Sequence, residues 1–335
     1  MVVTNSLSGG GAERSMNLLC NEYTKRGWPV SLVPINSGKP DLIIPTCAIF
    51  PLDRKWNGSF MNTIVAFWKF NKVVNSWQPD VIVLNCDLPE LYGALLFGKH
   101  KLVALEHASQ PWGQRKLLGK IIRRILRFRR TTWAAVSSHL TIWPLREKPT
   151  TVLQNSVVLP KEVELKVTHS EIKRLVFVGR LSHEKRPDLA LEIAKLTNLE
   201  LVIIGDGLMQ EELQKKTLDE SIKASFLGWV RDPWSKIHAG DLLIATSLFE
   251  GDGLIVIEGL AHRMPMLVVD ISDLRRFELP DRHYCADVKA FVSRTLEYSN
   301  KLEELVVPLD ISSKILLSRT PSSIGDKWNE FLNSI

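Results

Sequence analysis

Short, almost wholly apolar runs alternate with longer amphipathic stretches along this chain, and that alternation narrows its fold more than any other feature. In the first half the strand-like runs are Val2–Asn5, Val30–Ile35, Val81–Asn85, Leu102–Glu106, Thr132–Ser137 and Thr151–Gln154, with helical stretches such as Ala12–Arg26 and Phe60–Trp77 between them. The second half repeats the pattern with Arg174–Val178, Leu199–Ile204, Ala224–Leu227, Asp241–Ala245 and Met266–Val269. Helices are expected there over Pro187–Leu196, Met209–Asp219, Leu254–His262 and Asp287–Ser299. Strands that lack polar alternation are buried on both faces, so the pattern predicts α/β architecture with parallel sheets covered by helices on both sides. At 335 residues and 45% hydrophobic, the chain can bury two cores of ordinary size. The expected division is a first domain over residues 1–160, a polar linker over 161–172, a second domain over 173–318, and a C-terminal helix over 319–335 returning to the first domain.

No run approaches the ~18–20 apolar residues that cross a bilayer, and Met1 leads straight into an apolar strand, which argues against a secretory leader. Cys20, Cys47, Cys86 and Cys285 lie apart in apolar surroundings, without metal-ligand or redox spacing, and read as reduced core residues of a cytosolic protein. Charge is divided unevenly. Residues 1–165 hold 21 Lys and Arg against 11 Asp and Glu, whereas residues 166–335 hold 22 against 26. The first half is therefore expected to face something anionic.

The densest chemistry lies in Ser247–Ala261, SLFEGDGLIVIEGLA, directly after the strand Asp241–Thr246. Gly251-Asp252-Gly253 forms a turn that opens into an apolar helix, and a helix N-terminus with flexible backbone before it presents N–H groups to a phosphate. Glu258, one turn into the helix, is placed to accept hydrogen bonds from ribose hydroxyls, and Glu250, on the strand side, to reach a sugar beyond the phosphates. Alone, the segment reads equally as a strand–turn–helix unit with two solvated glutamates. Four other segments follow the same plan. Asn5–Arg14, with Gly9, Gly10 and Gly11, follows the first strand and opens a helix. Phe177–Pro187, FVGRLSHEKRP, places Arg180 and Lys185 near a strand's carboxyl end, with Pro187 at a helix N1 position. Leu201–Gly207 ends in the turn Gly205-Asp206-Gly207, and Val152–Ser156 ends the last strand before the linker.

In this order, GGGAER, VGRLSHEKRP, IIGDG and two glutamates eight positions apart, the chain resembles the family 4 retaining glycosyltransferases of the GT-B fold over nearly its whole length. The resemblance implies two doubly wound Rossmann-like domains facing across a cleft, and transfer of a sugar from a nucleoside-diphosphate sugar without a metal or other cofactor. It implies that Arg180 and Lys185 bind the donor diphosphate, Glu258 the ribose, and Glu250 the donor sugar. Amides around Asp252, Gly253 and Leu254, with the Gly205 turn, support sugar and phosphate, and the Gly9–Gly11 amides face the phosphates from the other domain. His107, at the end of a first-domain strand, matches a histidine that family members often carry near the donor sugar. The chain has no Asp-x-Asp, which fits phosphate neutralisation by Arg and Lys. It departs from the family in having Asp252 where an apolar or aromatic residue is common, and in the glycine-free turn Ile271-Ser272-Asp273.

From His107 to Arg146 there is no acidic residue. Within this span the helix expected over 114–130 carries Lys116, Lys120, Arg123, Arg124 and Arg127, with Leu117, Leu118, Ile121, Ile122, Ile125 and Leu126 at helical spacing on one face. Such a helix is expected to pack its apolar face inward and to hold an anionic membrane surface or an acceptor's pyrophosphate with these cations. Nucleic acid is not expected, since no recognition motif accompanies the charge. The expected activity is transfer from a UDP-sugar, in preference to a GDP-sugar, to a lipid-linked glycan such as lipopolysaccharide, O-antigen, capsule or an undecaprenyl-pyrophosphate oligosaccharide, at the inner face of the cell membrane. A same-fold epimerase or hydrolase and a non-catalytic nucleotide-sugar-binding protein are the alternatives.

Overall fold

The computed structural model describes residues 1–7, 10–38, 43–55, 60–108, 111–144, 147–160 and 170–335. Two compact units emerge, Met1–Ser156 with Arg319–Ile335, and Val157–Ser318.

The first unit is built on β1 (Val2–Thr4), β2 (Ser31–Pro34), β3 (Ala48–Ile49), β4 (Val81–Asn85), β5 (Lys101–Glu106), β6 (Thr132–Ala135) and β7 (Thr151–Val152), paired in parallel in the order β3-β2-β1-β4-β5-β6-β7. Alternation along β1 shows how both faces are used. Val2 enters a core with Met16, Leu19 and Cys20 of α1 (Gly11–Lys25), whereas Val3 enters another with Phe70 of α2 (Phe60–Trp77), Tyr92 of α3 (Asp87–Leu95) and Leu126 of α4 (Lys116–Phe128). The second unit is built on β8 (Arg174–Val178), β9 (Glu200–Ile204), β10 (Ala224–Gly228), β11 (Asp241–Ala245), β12 (Met266–Val269) and β13 (Tyr284–Cys285), all parallel, in the order β10-β9-β8-β11-β12-β13. Its helices are α5 (Pro187–Thr197), α6 (Gln210–Asp219), α7 (Leu254–Ala261), α8 (Ser272–Arg275), α9 (Val288–Glu297) and α10 (Leu309–Leu317). Helices α5, α6 and α9 cover one face, and α7, α8 and α10 the other.

Helix α11 (Pro321–Ser334) lies against α1 in the first unit. Trp328 is fully buried there, and Arg26 binds Asp326 at 2.6 Å and the carbonyl of Ser322 at 2.8 Å. Burying a side chain that large stabilises by upwards of ~2 kcal/mol, which explains how a short terminal helix is held.

Several boundaries differ from the sequence expectations. The units divide after Ser156, four residues before the expected limit, because Val157 packs into the second unit's core. Residues 161–169 of the expected linker lie outside the described residues. At its end, Ile172 is buried in the second unit's core and its amide bonds to Ser299, so this part is not a linker. Strands β3 and β13 and helices α3 and α10 were not anticipated. The two strands have only two residues each, too few to show a period, and α3 begins with Asp-Leu-Pro, which reads as a turn.

Candidate active site

Each sheet reverses strand order once, between β1 and β4 in the first unit and between β8 and β11 in the second. Ligands of open parallel sheets bind at these switch points, beyond the carboxyl ends of the strands. The motifs that follow β1, β8 and β11 fall there; the Gly205 turn follows β9, beside β8, while His107 and Val152–Ser156 follow β5 and β7, away from the switch point.

In the second unit, the loop after β8 and the loop after β11 are stitched together. Oγ1 of Thr246 donates to the carbonyls of Lys185 and Arg186 at 3.0 and 2.9 Å, and the amide of Leu248 donates to the carbonyl of Glu184 at 2.7 Å. This brings Lys185 to Glu250. One carboxylate oxygen of Glu250 accepts from Nζ of Lys185 at 2.7 Å and from Oγ of Ser247 at 2.6 Å. The acid is buried while the ammonium is 26% exposed, so the cation can be recruited by an incoming anion. Arg180 is exposed on the same loop. Burial raises the carboxyl of Glu184 above its usual value, against the pull of Lys185.

Beyond Glu250, Gly253 adopts a left-handed conformation at φ 60° and caps α7. The amides of Gly251, Gly253 and Leu254 have no acceptor among the described residues, which leaves three donors at a helix N-terminus for an anion. Glu258 is half-buried one turn along α7. Gly205, at φ 143°, closes the turn after β9 against β8, where a Cβ would collide with the carbonyl of Gly179. The glycine there serves close backbone approach, so no larger residue fits. Asp252 is buried with Oδ1 at 3.1 Å from Nη2 of Arg276, and Oδ2 of Asp273 accepts the amide of Glu250 at 2.9 Å. Ser247, Asp273 and Arg276 were missed from the sequence. Ser247 had a usable signal, three residues before Glu250, whereas α8 is too short to be read as an element.

In the first unit, Gly10 is the N-cap of α1 and Gly11 its first residue, while Gly9 lies outside the described residues. Asn5 Nδ2 donates to Glu13 of the same turn at 3.3 Å. Across the switch point, Nδ2 of Asn85 donates to Oγ1 of Thr4, and Oδ1 of Asn85 stands 2.6 Å from Nε2 of His107. An amide oxygen at that place requires the imidazole to carry a hydrogen on Nε2.

Helix α4 corrects two expectations. Arg123 does not face solvent: it is 2% exposed and binds Glu90 at 2.6 Å and Glu106 at 2.5 Å. Its guanidinium also donates to the carbonyl of Trp143 and lies 5.1 Å from the ring of Trp133. Two carboxylates around one cation leave an excess negative charge in a buried site, and burial pushes Glu90 up to about 7 despite the pull of Arg123. Nor do the apolar residues share one inward face. Ile122 and Leu126 are buried, whereas Leu117, Ile121 and Phe128 are 78%, 58% and 90% exposed. The helix therefore has a buried face, an outer apolar stripe and a basic flank. Lys120, Arg123, Arg124 and Arg127 line a cavity of about 380 Å³ with Trp133, Trp143 and Pro144. Lys116 is exposed at the start of the helix. Among the described residues, no helix is long and apolar enough to cross a membrane.

Residues 164–281 match the family model of the glycosyl transferases group 1. The chain is 24% identical over 273 residues to a GalNAc-alpha-(1->4)-GalNAc-alpha-(1->3)-diNAcBac-PP-undecaprenol alpha-1,4-N-acetyl-D-galactosaminyltransferase of Campylobacter jejuni, covering 76% of this chain and 74% of that one. Among solved structures, HepE of Anabaena in complex with UDP and glucose superposes with a TM-score of 0.75 at 16% identity, over 100% and 99% of the two chains. The apo lipopolysaccharide outer core galactosyltransferase WaaB gives 0.66 at 17% identity, over 99% and 98%.

Proposed function

We propose that this member of the group 1 glycosyltransferases, built on the GT-B fold, transfers a hexose or N-acetylhexosamine from a UDP-sugar to a lipid-linked glycan, with retention of anomeric configuration and without a metal. The observation that carries the reading is the stitched pair of loops at the second unit's switch point, where Lys185, Glu250 and the unbonded amides of Gly251, Gly253 and Leu254 converge.

In this reading the Lys185–Glu250 pair is exchanged on binding. The diphosphate takes the ammonium of Lys185 and is held further by Arg180 and the turn amides, while hydroxyls of the donor sugar donate to the carboxylate of Glu250. Glu258 receives the ribose hydroxyls. The bond between the anomeric carbon and the phosphate oxygen then breaks as the acceptor oxygen bonds to the same face. The acceptor's proton passes to the departing phosphate, so no enzymic nucleophile is needed. Preorganised cations and amides at the developing phosphate charge supply much of the rate. The turn after β9 at Gly205 closes the donor side.

The acceptor reading rests on helix α4. Its apolar stripe of Leu117, Ile121 and Phe128 enters the lipid surface, and Lys116, Lys120, Arg124 and Arg127 take the anionic head of a phospholipid or of a pyrophosphate-linked glycan lipid. The relative in Campylobacter jejuni, named for an undecaprenol-pyrophosphate glycan, supports that class of acceptor. Peripheral association with the inner face of the cell membrane follows.

The test is incubation of the folded chain with UDP- and GDP-sugars and a lipid-linked glycan, read by mass spectrometry, with and without EDTA. The expected result is one added sugar from a UDP donor, insensitive to EDTA and with the α configuration of the donor kept. Product formed from donor alone would instead indicate an epimerase or hydrolase, and no transfer from any donor would refute the activity.

A further inference from the structure

Asp252 is the least expected group in the donor turn. Its carboxylate is 2% exposed, and its neighbours on both sides offer their amides to an anion. A lone carboxylate in that position repels a diphosphate. Arg276 answers it from outside the turn, with Nη2 at 3.1 Å from Oδ1 of Asp252 and the guanidinium 4.8 Å from the ring centroid of Phe277. The same stretch braces the turn at two more points. Asp273 accepts the amide of Glu250 at 2.9 Å, and Leu274 and Phe277 stand 2.9 Å from where a Cβ on Gly253 would lie. Residues 273–277 thus hold three positions of the turn, Glu250, Asp252 and Gly253.

We propose that Arg276 is a donor-positioning residue: by pairing with Asp252 it cancels the carboxylate's charge, so that the Gly251–Leu254 turn accepts a diphosphate. The inference deepens the donor reading and rests on it. It also accounts for how this chain carries an aspartate in an anion-binding turn. The cation stays tied to Asp252, and Arg180 and Lys185 remain the cations that meet the phosphates.

The two members of the pair are predicted to behave asymmetrically. Removing Arg276 takes from the buried carboxylate the cation paired with it in this turn, whereas removing the charge of Asp252 leaves a cation that an anion tolerates. The test measures affinity for UDP and UMP by calorimetry on the whole chain for wild type, Arg276→Gln, Arg276→Lys, Asp252→Asn and the double variant Asp252→Asn/Arg276→Gln. Arg276→Gln is expected to weaken UDP binding roughly 10- to 100-fold, and less so in high salt, as for one uncancelled charge near the phosphates. The loss for UMP is smaller, Arg276→Lys keeps most of the affinity, and Asp252→Asn does not weaken UDP. The double variant returns to within about threefold of wild type, the non-additivity of a coupled pair. Equal losses from the two single variants, with the double no better than either, would make the pair a structural contact only and overturn the proposal. If Arg276→Gln fails to fold, the comparison of Asp252→Asn with the double variant decides: similar affinities support the proposal, and a tenfold or greater drop in the double contradicts it. Wild type binding neither UDP nor GDP would remove the donor reading and this inference with it, whereas wild-type binding unaffected by Arg276→Gln removes the inference alone.

Discussion

Arg123 in the first unit and Lys185 and Arg276 in the second all bind buried carboxylates, but only the first is sealed. Arg123 is 2% exposed, between Glu90, Glu106 and two indoles, whereas Lys185 and Arg276 are 26% and 21% exposed above acids that are nearly inaccessible. A sealed cation joins elements, here α4 to α3 and to the end of β5, and a ligand cannot recruit it. A half-open cation over a buried acid lies within reach of a ligand's charge, which suits it to a binding site: Lys185 can change partners there, while Arg276 stays with Asp252. The same residue types therefore do different work according to which member of the pair reaches solvent.

The sharpest way to break this contrast is Arg123→Met. Leaving Glu90 and Glu106 buried without their cation is expected to cost about 3–5 kcal/mol, measured by urea unfolding, while nucleotide affinity of the folded fraction stays unchanged. Lys185→Ala is expected to do the reverse. Loss of a preorganised cation at the leaving phosphate lowers kcat/KM roughly 100-fold or more, with little movement of the unfolding midpoint. Were Arg123→Met to abolish nucleotide binding in folded protein, or Lys185→Ala to unfold the chain, the contrast between sealed and open pairs would fail.

A smaller effect distinguishes the two networks by pH. Burial raises Glu90 from 4.5 to about 7 in the folded chain, so between those values the folded state keeps a proton that the unfolded chain has released. Stability from this group is fully present below 4.5 and is lost as pH rises through 7. Glu106 is raised too, again by burial, and Arg123 and Trp112 complete the groups that meet Glu90. Glu90→Gln is therefore expected to gain on wild type in urea midpoint as pH rises across that window, and a gap that widens against the variant would contradict the assignment. The weakest expected effect is at the surface. Each of Lys120→Gln, Arg124→Gln and Arg127→Gln is expected to cost about 1 kcal/mol of binding to phosphatidylglycerol vesicles, read by flotation, without altering stability.

The strands and switch-point loops were legible in the sequence because buried parallel strands are written as unbroken apolar runs, and because Gly205 and Gly253 occupy backbone conformations that glycine favours. Lys185 and Glu250 were legible as residue types on the right loops, though not as partners, since 65 positions separate them and only the stitching by Thr246 brings them together. Arg123 was misread because sequence counts charges without showing where they point. Eight basic residues in one helical stretch look alike until Glu90, 33 positions earlier, claims one of them. Arg276 was invisible for a related reason: it follows a four-residue helix, too short to show a period in the sequence.

The central claim is that the turn from Glu250 to Glu258 binds a nucleoside diphosphate. Calorimetric titration of UDP and GDP into wild type and Glu258→Ala tests it most directly. The expected result is binding of one nucleotide by wild type and an affinity roughly tenfold or more lower in the variant, the scale of lost charge-assisted hydrogen bonds to the ribose, with the unfolding midpoint unchanged. Binding of neither nucleotide, or equal binding by wild type and Glu258→Ala, would contradict the account.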